Sequence, residues 1–309
     1  MSSSISAEVG DVNTQLAAPV VYLIDTILEF VPPETLRTNY SHIVPSLAII
    51  LENQSTGNTH SEGTAALIRS ALGALERVLI AQDDSTWKSR EEHSVQLVFT
   101  SYILGYSLDP RPKVRKRALD AIKHILTHPS VDRKGAHPAA EGTAALAFHT
   151  AQAQFGQSKK RKGKDAGERD VKAVHSLNLL KVVADSLVWP KSSIQELVEF
   201  LLNLSSENYD NVVRLTALDC FEVIFARATK DNDTGRIREV LEVSSLETAN
   251  LMVDGAGDYP FKDRYATYSQ LACRRCCWVQ GVRNYGCESL FETATWPSSS
   301  IVRFSASGI

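Results

Sequence analysis

The sequence predicts an all-α protein whose helices pack as successive antiparallel pairs, an α-solenoid. Apolar residues recur at helical spacing through most of the first 250 residues. The strict alternation of apolar and polar residues that marks half-buried strands is nearly absent. Connections between the periodic segments are short, which is typical of antiparallel neighbouring helices. The predicted helices are 15–31, 34–52, 63–80, 91–107, 111–127, 137–155, 169–188, 191–205, 210–228 and 235–250.

Proline marks three of the connections. They read "VPPE" at 31–34, "SLDPRP" at 107–112 and "VWPKSS" at 188–193. Pro110 and Pro112 cannot continue a helix, but they suit the first turn of the next one, and Asp109 just ahead is a suitable N-cap. The positions of the prolines therefore agree with the apolar spacing on where the helices begin.

A short motif occurs twice and indicates a repeat protein. The pattern Val-Arg-x-x-Ala-Leu-Asp stands at 114–120 and again at 213–219, which are 99 residues apart, a spacing that fits two or more helix pairs of about 40–47 residues each. The apolar positions of the first copy fall on one helix face, and the small alanine lets a neighbouring helix approach closely. We expect the motif arginine to reach a carboxylate on an adjacent repeat. The fold class is therefore a HEAT/armadillo-like α-solenoid, and the structural motif residues are Val114, Arg115, Ala118, Val213, Arg214 and Ala217.

The helix that carries the first motif copy also has a basic side. In a chain of net charge −3, such a local concentration of cations could hold several phosphates of a nucleic-acid backbone. A solvated helix surface or a contact with an acidic protein partner explains the same residues. No aromatic residues are interleaved, so base stacking is not indicated. The candidate contact residues are Arg111, Lys113, Lys116, Arg117 and Lys123.

A second basic run lies in a segment predicted to be a disordered loop, 156–168. The segment is rich in glycine and charge and almost lacks apolar residues, which favours disorder. Its cations would serve as a nuclear-import signal or a nonspecific phosphate contact, and a merely solvated linker is the alternative. They are Lys159, Lys160, Arg161, Lys162 and Lys164.

Composition excludes several other classes of protein. With 43% hydrophobic and 22% charged residues, the chain has the composition of an ordinary globular domain. The net charge of −3 excludes a polybasic nucleic-acid coat, and no stretch approaches the roughly 20 apolar residues that span a bilayer. Residues 1–14 form a polar tail without the features of a secretory signal. We therefore expect a nuclear or cytosolic protein with reduced cysteines and no membrane contact.

No catalytic motif is present, and the sequence predicts neither an enzyme nor a bound cofactor. There is no phosphate-binding loop, dinucleotide fingerprint, nucleophile elbow or zinc-protease motif. Cys220 lies in an apolar helical pattern and is expected in the core. Four other cysteines could form an irregular zinc site, but we interpret them as chance or as part of a non-native tail. These are Cys273, Cys276, Cys277 and Cys287.

The composition changes abruptly near residue 253. The helical pattern stops, and glycine, proline, tryptophan and cysteine accumulate over 253–309. We interpret this interval as an irregular tail, with the hypothesis that it is a truncated or misread segment of the gene. The solenoid is therefore predicted to extend over 15–252. Transcript reads that give these very residues in one open frame would contradict the hypothesis.

Four stretches resemble the N-terminal region of the ribosomal RNA-processing protein twelve family, a eukaryotic family of HEAT-repeat proteins. The resemblance runs from about 16 to 250, and "DPRPKVRKRA" is its most specific piece. The tail "SIVRFSAS" is similar to a later repeat. The stretches read "APVVYLIDTILEFVPPETLRTNYSHIVPSLAIIL", "ALERVLIAQDDSTW", "GYSLDPRPKVRKRALDAIKHIL" and "HPAAEGTA".

The resemblance implies a scaffold in ribosome biogenesis. It implies support of precursor-rRNA processing and of nuclear export of pre-ribosomal subunits, through contacts with RNA, assembly proteins and transport factors. The implied location is the nucleus, chiefly the nucleolus, with shuttling to the cytoplasm on pre-ribosomes. No small-molecule substrate is expected. Two alternatives remain: a nuclear transport adaptor that binds only proteins, and a zinc-stabilised module on the C-terminal cysteines.

Overall fold

The computed structural model describes residues 14–55, 62–89, 94–129, 136–158, 166–205 and 209–230, and these are helical with short connections. The helix predicted at 235–250 and the tail 253–309 lie outside them. The helices are α1 Thr14–Leu28, α2 Pro33–Thr38, α3 Tyr40–Ser55, α4 Glu62–Ile80, α5 Asp84–Lys88, α6 Val95–Val98, α7 Pro112–Thr127, α8 Ala140–Ser158, α9 Ala166–Ser186, α10 Lys191–Leu204 and α11 Asn211–Lys230. A π-helical segment, Phe99–Leu104, continues α6.

The helices form a repeating arrangement of pairs, which confirms the predicted all-α solenoid. Five of them, α1, α4, α7, α9 and α11, lie side by side so that each contacts the next; we call them the B row. Each later member of the row also packs against a helix that precedes it in sequence: α3 on α4, the π segment on α7, α8 on α9, and α10 on α11. We call these the A helices. Stacked helix pairs that contact mainly their neighbours are the defining feature of HEAT-type solenoids.

One hydrophobic core runs the length of this arrangement. In α7 the predicted stripe is buried completely: Val114, Ala118 and Ile122 have no exposed surface. In α11 Ala217 and Cys220, at the positions that match Ala118 and Ala121 of α7, are buried in the same way. Burial raises the pKa of the Cys220 thiol to about 12, so this side chain behaves as a small apolar group, as predicted.

Local polar contacts set several helix starts. Asp83 caps α5 by accepting a hydrogen bond from the Thr86 backbone N–H at 2.8 Å. Asp210 caps α11 in the same way, accepting from the N–H groups of Val212 and Val213. The expected cap of α7 by Asp109 is wrong. The N-cap position is Arg111, and Asp109 lies two residues earlier, where its carboxylate accepts from the Arg111 backbone N–H instead.

Three other expectations differ from the structure in detail. The helix predicted at 34–52 is divided at Asn39, whose backbone N–H closes α2 before α3 begins. The short helix α5 was not predicted. Within 156–168, expected as a loop, α8 extends to Ser158 and α9 begins at Ala166. A lack of large apolar residues does not prevent helix extension here, because Gln157, Ala166 and Glu168 are good helix formers.

Candidate contact face on helix α7

The repeat motif places its apolar residues identically in both copies. Val114 and Val213 are buried at the start of α7 and α11, and Ala118 and Ala217 have no exposed surface one turn later. The motif therefore marks the face with which a B-row helix enters the core, as the sequence predicts.

Both motif arginines donate to backbone carbonyls. Arg115 Nη1 donates to the carbonyl oxygen of Asp109 at 2.7 Å, and Arg214 Nε donates to the carbonyl of Ser205 at 3.3 Å. Both carbonyls belong to the connection that precedes the helix. The expectation that Arg115 reaches a carboxylate on an adjacent repeat is therefore wrong. Each arginine therefore ties the start of its own helix to the connection before it.

Arg111, the first predicted contact residue, is held by its own connection. Its guanidinium donates twice to the Asp109 carboxylate, from Nε to Oδ1 at 2.8 Å and from Nη2 to Oδ2 at 2.7 Å. The Asp109 side chain is only 8% exposed. The hydrogen bonds to Asp109 raise the pKa of Arg111. This bidentate pair occupies the two guanidinium N–H groups of Arg111 that would otherwise bind a phosphate.

Arg117 reaches into the B row. Its Nη1 lies 2.6 Å from Oε2 of Glu76 on α4, and the Glu76 side chain is only 3% exposed. The contact is an ion pair by distance, without the alignment of a hydrogen bond. The other carboxylate oxygen of Glu76 lies 2.5 Å from His124 Nδ1. A buried carboxylate needs such partners, so Arg117 stabilises the packing of α7 on α4 by compensating the charge of Glu76.

The remaining three candidates lie on the solvent side of α7. Lys123 Nζ donates to Asp185 on α9 at 2.6 Å, but both side chains are about half exposed. Lys113 and Lys116 are exposed on the first two turns of the helix. Two of the five predicted cations are thus arginines held by buried carboxylates, and the other three are exposed lysines.

The ion pairs of α7 belong to a series along the B row. At one end Arg77 of α4 pairs with Glu29, in the turn that follows α1, at 3.2 Å. At the other end Lys181 of α9 pairs with Asp219 of α11 at 2.9 Å. With Arg117–Glu76 and Lys123–Asp185 between them, every neighbouring pair in the row is bridged by an ion pair. Sequence reasoning missed these acidic partners, because pairing across the row depends on distances between helices and not on sequence spacing.

Other predicted sites fall outside the described part of the chain. These are the import candidates Lys159, Lys160, Arg161, Lys162 and Lys164 and the cysteines Cys273, Cys276, Cys277 and Cys287. Within the described residues, no group of three His, Cys, Asp or Glu side chains is placed to hold a metal ion. None of the described helices is long and apolar enough to cross a membrane.

Comparison with known proteins agrees with the paired helices and the repeated motif. A family model for RRP12-like N-terminal HEAT repeats matches residues 1–232. The chain belongs to this family. The resemblance stated from the sequence is confirmed, and the match covers all the described helices.

Curated relatives of the RRP12-like chain come from yeasts and human. The chain is 31% identical over 245 residues to "Ribosomal RNA-processing protein 12" of Saccharomyces cerevisiae, a match that covers 76% of this chain and 19% of the relative. "Putative ribosomal RNA-processing protein 12" of Schizosaccharomyces pombe is 25% identical (67% of this chain, 17% of the relative). "RRP12-like protein" of Homo sapiens is 24% identical (67% and 15%). This chain therefore spans less than a fifth of their length. No solved structure matches.

Proposed function

We propose that this RRP12-like chain acts in ribosome biogenesis as a non-enzymatic scaffold. In this role it supports precursor-rRNA processing and nuclear export of pre-ribosomal subunits through contacts with RNA and assembly proteins. Two observations support the proposal: the family match over residues 1–232, and the names of the yeast relatives, which are ribosomal RNA-processing proteins. The fold suits the role, because a row of helix pairs offers a long surface without needing a catalytic cleft.

The observation that carries the RNA contact is the exposed lysine pair at the start of α7. Lys113 and Lys116 lie on the first two turns, where the positive end of the helix dipole adds to their charge. Arg111 and Arg117 are held by Asp109 and Glu76, so their role is to shape this end of the helix. Lys123 could exchange its exposed partner for a phosphate at little cost.

Such a contact would hold the RNA backbone without reading sequence. The lysines provide point charges, and no aromatic residue was found among the basic residues of this helix for a base to stack on. We therefore expect weak, salt-dependent binding to precursor rRNA and little discrimination among RNAs of equal length. Specific placement on a pre-ribosome would come from protein partners.

Salt-dependent RNA binding by the 309-residue chain tests this proposal. Replacing Lys113 and Lys116 by alanine should weaken binding and reduce the slope of log K against log salt by about 0.7–0.9 for each lost phosphate contact. Lys88→Ala is the matched control, because Lys88 is also exposed but lies on α5. An unchanged slope in the double variant, or an equal loss in the control, would exclude α7 as the contact.

A second candidate is a transport adaptor that binds only proteins. It is favoured by the ion pairs along the B row, which leave much of the positive charge on this side already neutralised. Filter binding separates the two: an adaptor retains no precursor rRNA on the filter at low salt, whereas the RNA-binding scaffold does. Nuclear, chiefly nucleolar, localisation is part of both proposals. Changing the run Lys159–Lys164 to alanine should retain a fluorescently tagged chain in the cytoplasm if this run is the import signal.

A further inference from the structure

Helix α1 carries an apolar stripe on the side turned away from the rest of the structure. Its side chains are between 55 and 80% exposed. They are spaced four, three, four and three residues apart, so they lie in one line along the helix and the turn that follows it. The stripe consists of Leu16, Val20, Leu23, Ile27 and Phe30.

The opposite side of α1 makes the helix part of the B row. Val21 is buried there, and Leu28 packs against the same core. Asp25 lies over Gly73 of α4, and Glu29 pairs with Arg77. The stripe is therefore not the face that the solenoid uses to hold α1, and its exposure is independent of the packing on α4.

Five neighbouring large apolar side chains on one exposed helix are unusual for a protein surface. Elsewhere in the described chain, exposed residues such as Ile49 on α3 and Val212 on α11 occur singly on their helices. Single residues of this kind need no explanation, whereas a contiguous apolar patch marks an interaction surface.

The chemistry of the stripe limits what can cover it. No Lys, Arg or His occurs before residue 37, so the stripe offers no cation to a nucleic acid or an acidic peptide. The carboxylates of Asp25 on α1 and of Glu29 in the turn after it contact α4, so a basic helix would find no acid on the stripe either. The matching surface is an uncharged apolar helix with the same spacing.

We propose that α1 of a second copy of the chain covers the stripe, packed antiparallel about a twofold axis at Leu23. The spacing reads nearly the same from both ends, so Leu23 would meet Leu23, Val20 would meet Ile27, and Leu16 would meet Phe30. A twofold interface requires such a self-complementary patch. The antiparallel direction also opposes the two helix dipoles, whereas a parallel pair would align them.

The size of the contact indicates a reversible dimer. The stripe runs about 21 Å along the helix at 1.5 Å per residue and is one helix wide. With Tyr22 and Ile24 exposed at its edges, two copies together would bury close to the lower limit of about 1,000 Å² for a specific interface. We therefore expect a dissociation constant on the order of micromolar.

Sedimentation of the full 309-residue chain tests the dimer directly. Over a range from about 1 to about 100 µM, the average mass should rise from that of a monomer toward that of a dimer. The association should persist at about 1 M salt, because apolar contacts are not screened as charge contacts are. A chain that stays monomeric over this range would overturn the proposal.

Substitution at Leu23 tests the twofold axis. Leu23→Asp and Leu23→Lys should each weaken association at least about tenfold, because like charges would face each other across the axis. An equimolar mixture of the two variants should associate again. Ile49→Asp and Val212→Asp are matched controls, since both positions are exposed but off the stripe. Failure of the mixture to associate, or an equal effect of the controls, would overturn the proposed geometry.

A second variant guards against a folding defect. Val20→Gln with Ile27→Gln removes one predicted apolar pair without adding charge, and helical circular dichroism shows whether either variant remains folded. Both positions are more than half exposed, so the fold should be unchanged while association weakens at least about tenfold. A folded variant that dimerises like the parent chain would exclude α1 as the interface.

Discussion

Two ion pairs of α7 have the same length but should contribute very differently to stability. In both Arg117–Glu76 and Lys123–Asp185 the nitrogen and oxygen are 2.6 Å apart. The Glu76 side chain is 3% exposed, whereas the side chains of Lys123 and Asp185 are 56 and 45% exposed. We therefore compare Arg117→Ala with Lys123→Ala.

The expected magnitudes follow from burial. Removing one partner of a buried pair leaves an uncompensated charge and costs about 3–5 kcal/mol. Arg117 is itself 27% exposed, and His124 still contacts Glu76 at 2.5 Å, so water and the imidazole retain part of the stabilisation. We expect Arg117→Ala to lower the free energy of unfolding by about 2–3 kcal/mol. Lys123→Ala should cost about 0–1 kcal/mol, as exposed pairs do.

Urea denaturation followed by helical circular dichroism measures both values. Glu76→Ala, alone and combined with Arg117→Ala, completes a double-mutant cycle, and the coupling free energy isolates the ion pair from lost packing. The reasoning is refuted if the free energy of unfolding of Arg117→Ala lies within about 0.5 kcal/mol of that of the parent chain, or if Lys123→Ala lowers it as much as Arg117→Ala does. The outcome also bears on RNA binding, because a destabilised Arg117 variant cannot report on phosphate contacts.

Four further substitutions test other parts of the fold. A Cβ on Gly73 would lie 2.6 Å from the Asp25 carboxyl carbon, so Gly73→Ala should lower the free energy of unfolding by about 1 kcal/mol in urea denaturation. A Cβ on Gly105 would meet nothing within 4 Å, so Gly105→Ala should raise it by about 0.5–1 kcal/mol. Hydrogen bonds from Ser85 and Thr86 lower the pKa of Asp83 to about 2, so Asp83→Ala should cost about 1 kcal/mol at neutral pH. Because the pKa of Asp83 is depressed in the folded state, the stability difference between the parent chain and Asp83→Ala should be complete above the ordinary aspartate pKa of about 3.9. It should shrink as the pH falls toward 2, and a stability difference that grows in acid would contradict the assignment of Asp83 as the cap. Arg214→Met should lower thermal and urea stability by about 1–3 kcal/mol, since it leaves the Ser205 carbonyl buried without this donor; full retention of stability would show that the arginine is not needed there.

The helices could be predicted from the sequence because their apolar spacing is local information. The stripe of α7 and the motif Val-Arg-x-x-Ala identified the buried face and the repeat, and the structure confirms both. The π segment Phe99–Leu104 could not be predicted, because its apolar residues fit an ordinary α-helix equally well. The break at Asn39 and the helix α5 are single-turn events that periodicity cannot detect.

The candidate contact face shows a different limit. Five cations could be placed on one helix from the sequence, but nothing in it separated the arginines that buried carboxylates hold from the exposed lysines. Arg111 binds a carboxylate two residues away, which a turn preference could have suggested. Arg117 binds Glu76, 41 residues earlier and on another helix, and no local pattern contains that contact.

The sequence by itself determined the helical class, the repeat and the family, since periodicity, motif and similarity are properties of residues near one another in the chain. Only the tertiary structure decided which charges are neutralised and which apolar residues remain exposed. Those outcomes depend on distances between helices that are far apart in sequence, because a cation is engaged only where a neighbouring helix brings a carboxylate within reach. The exposed stripe of α1 is decided in the same way, since the sequence predicts an apolar helix there and only packing shows which side α4 leaves uncovered.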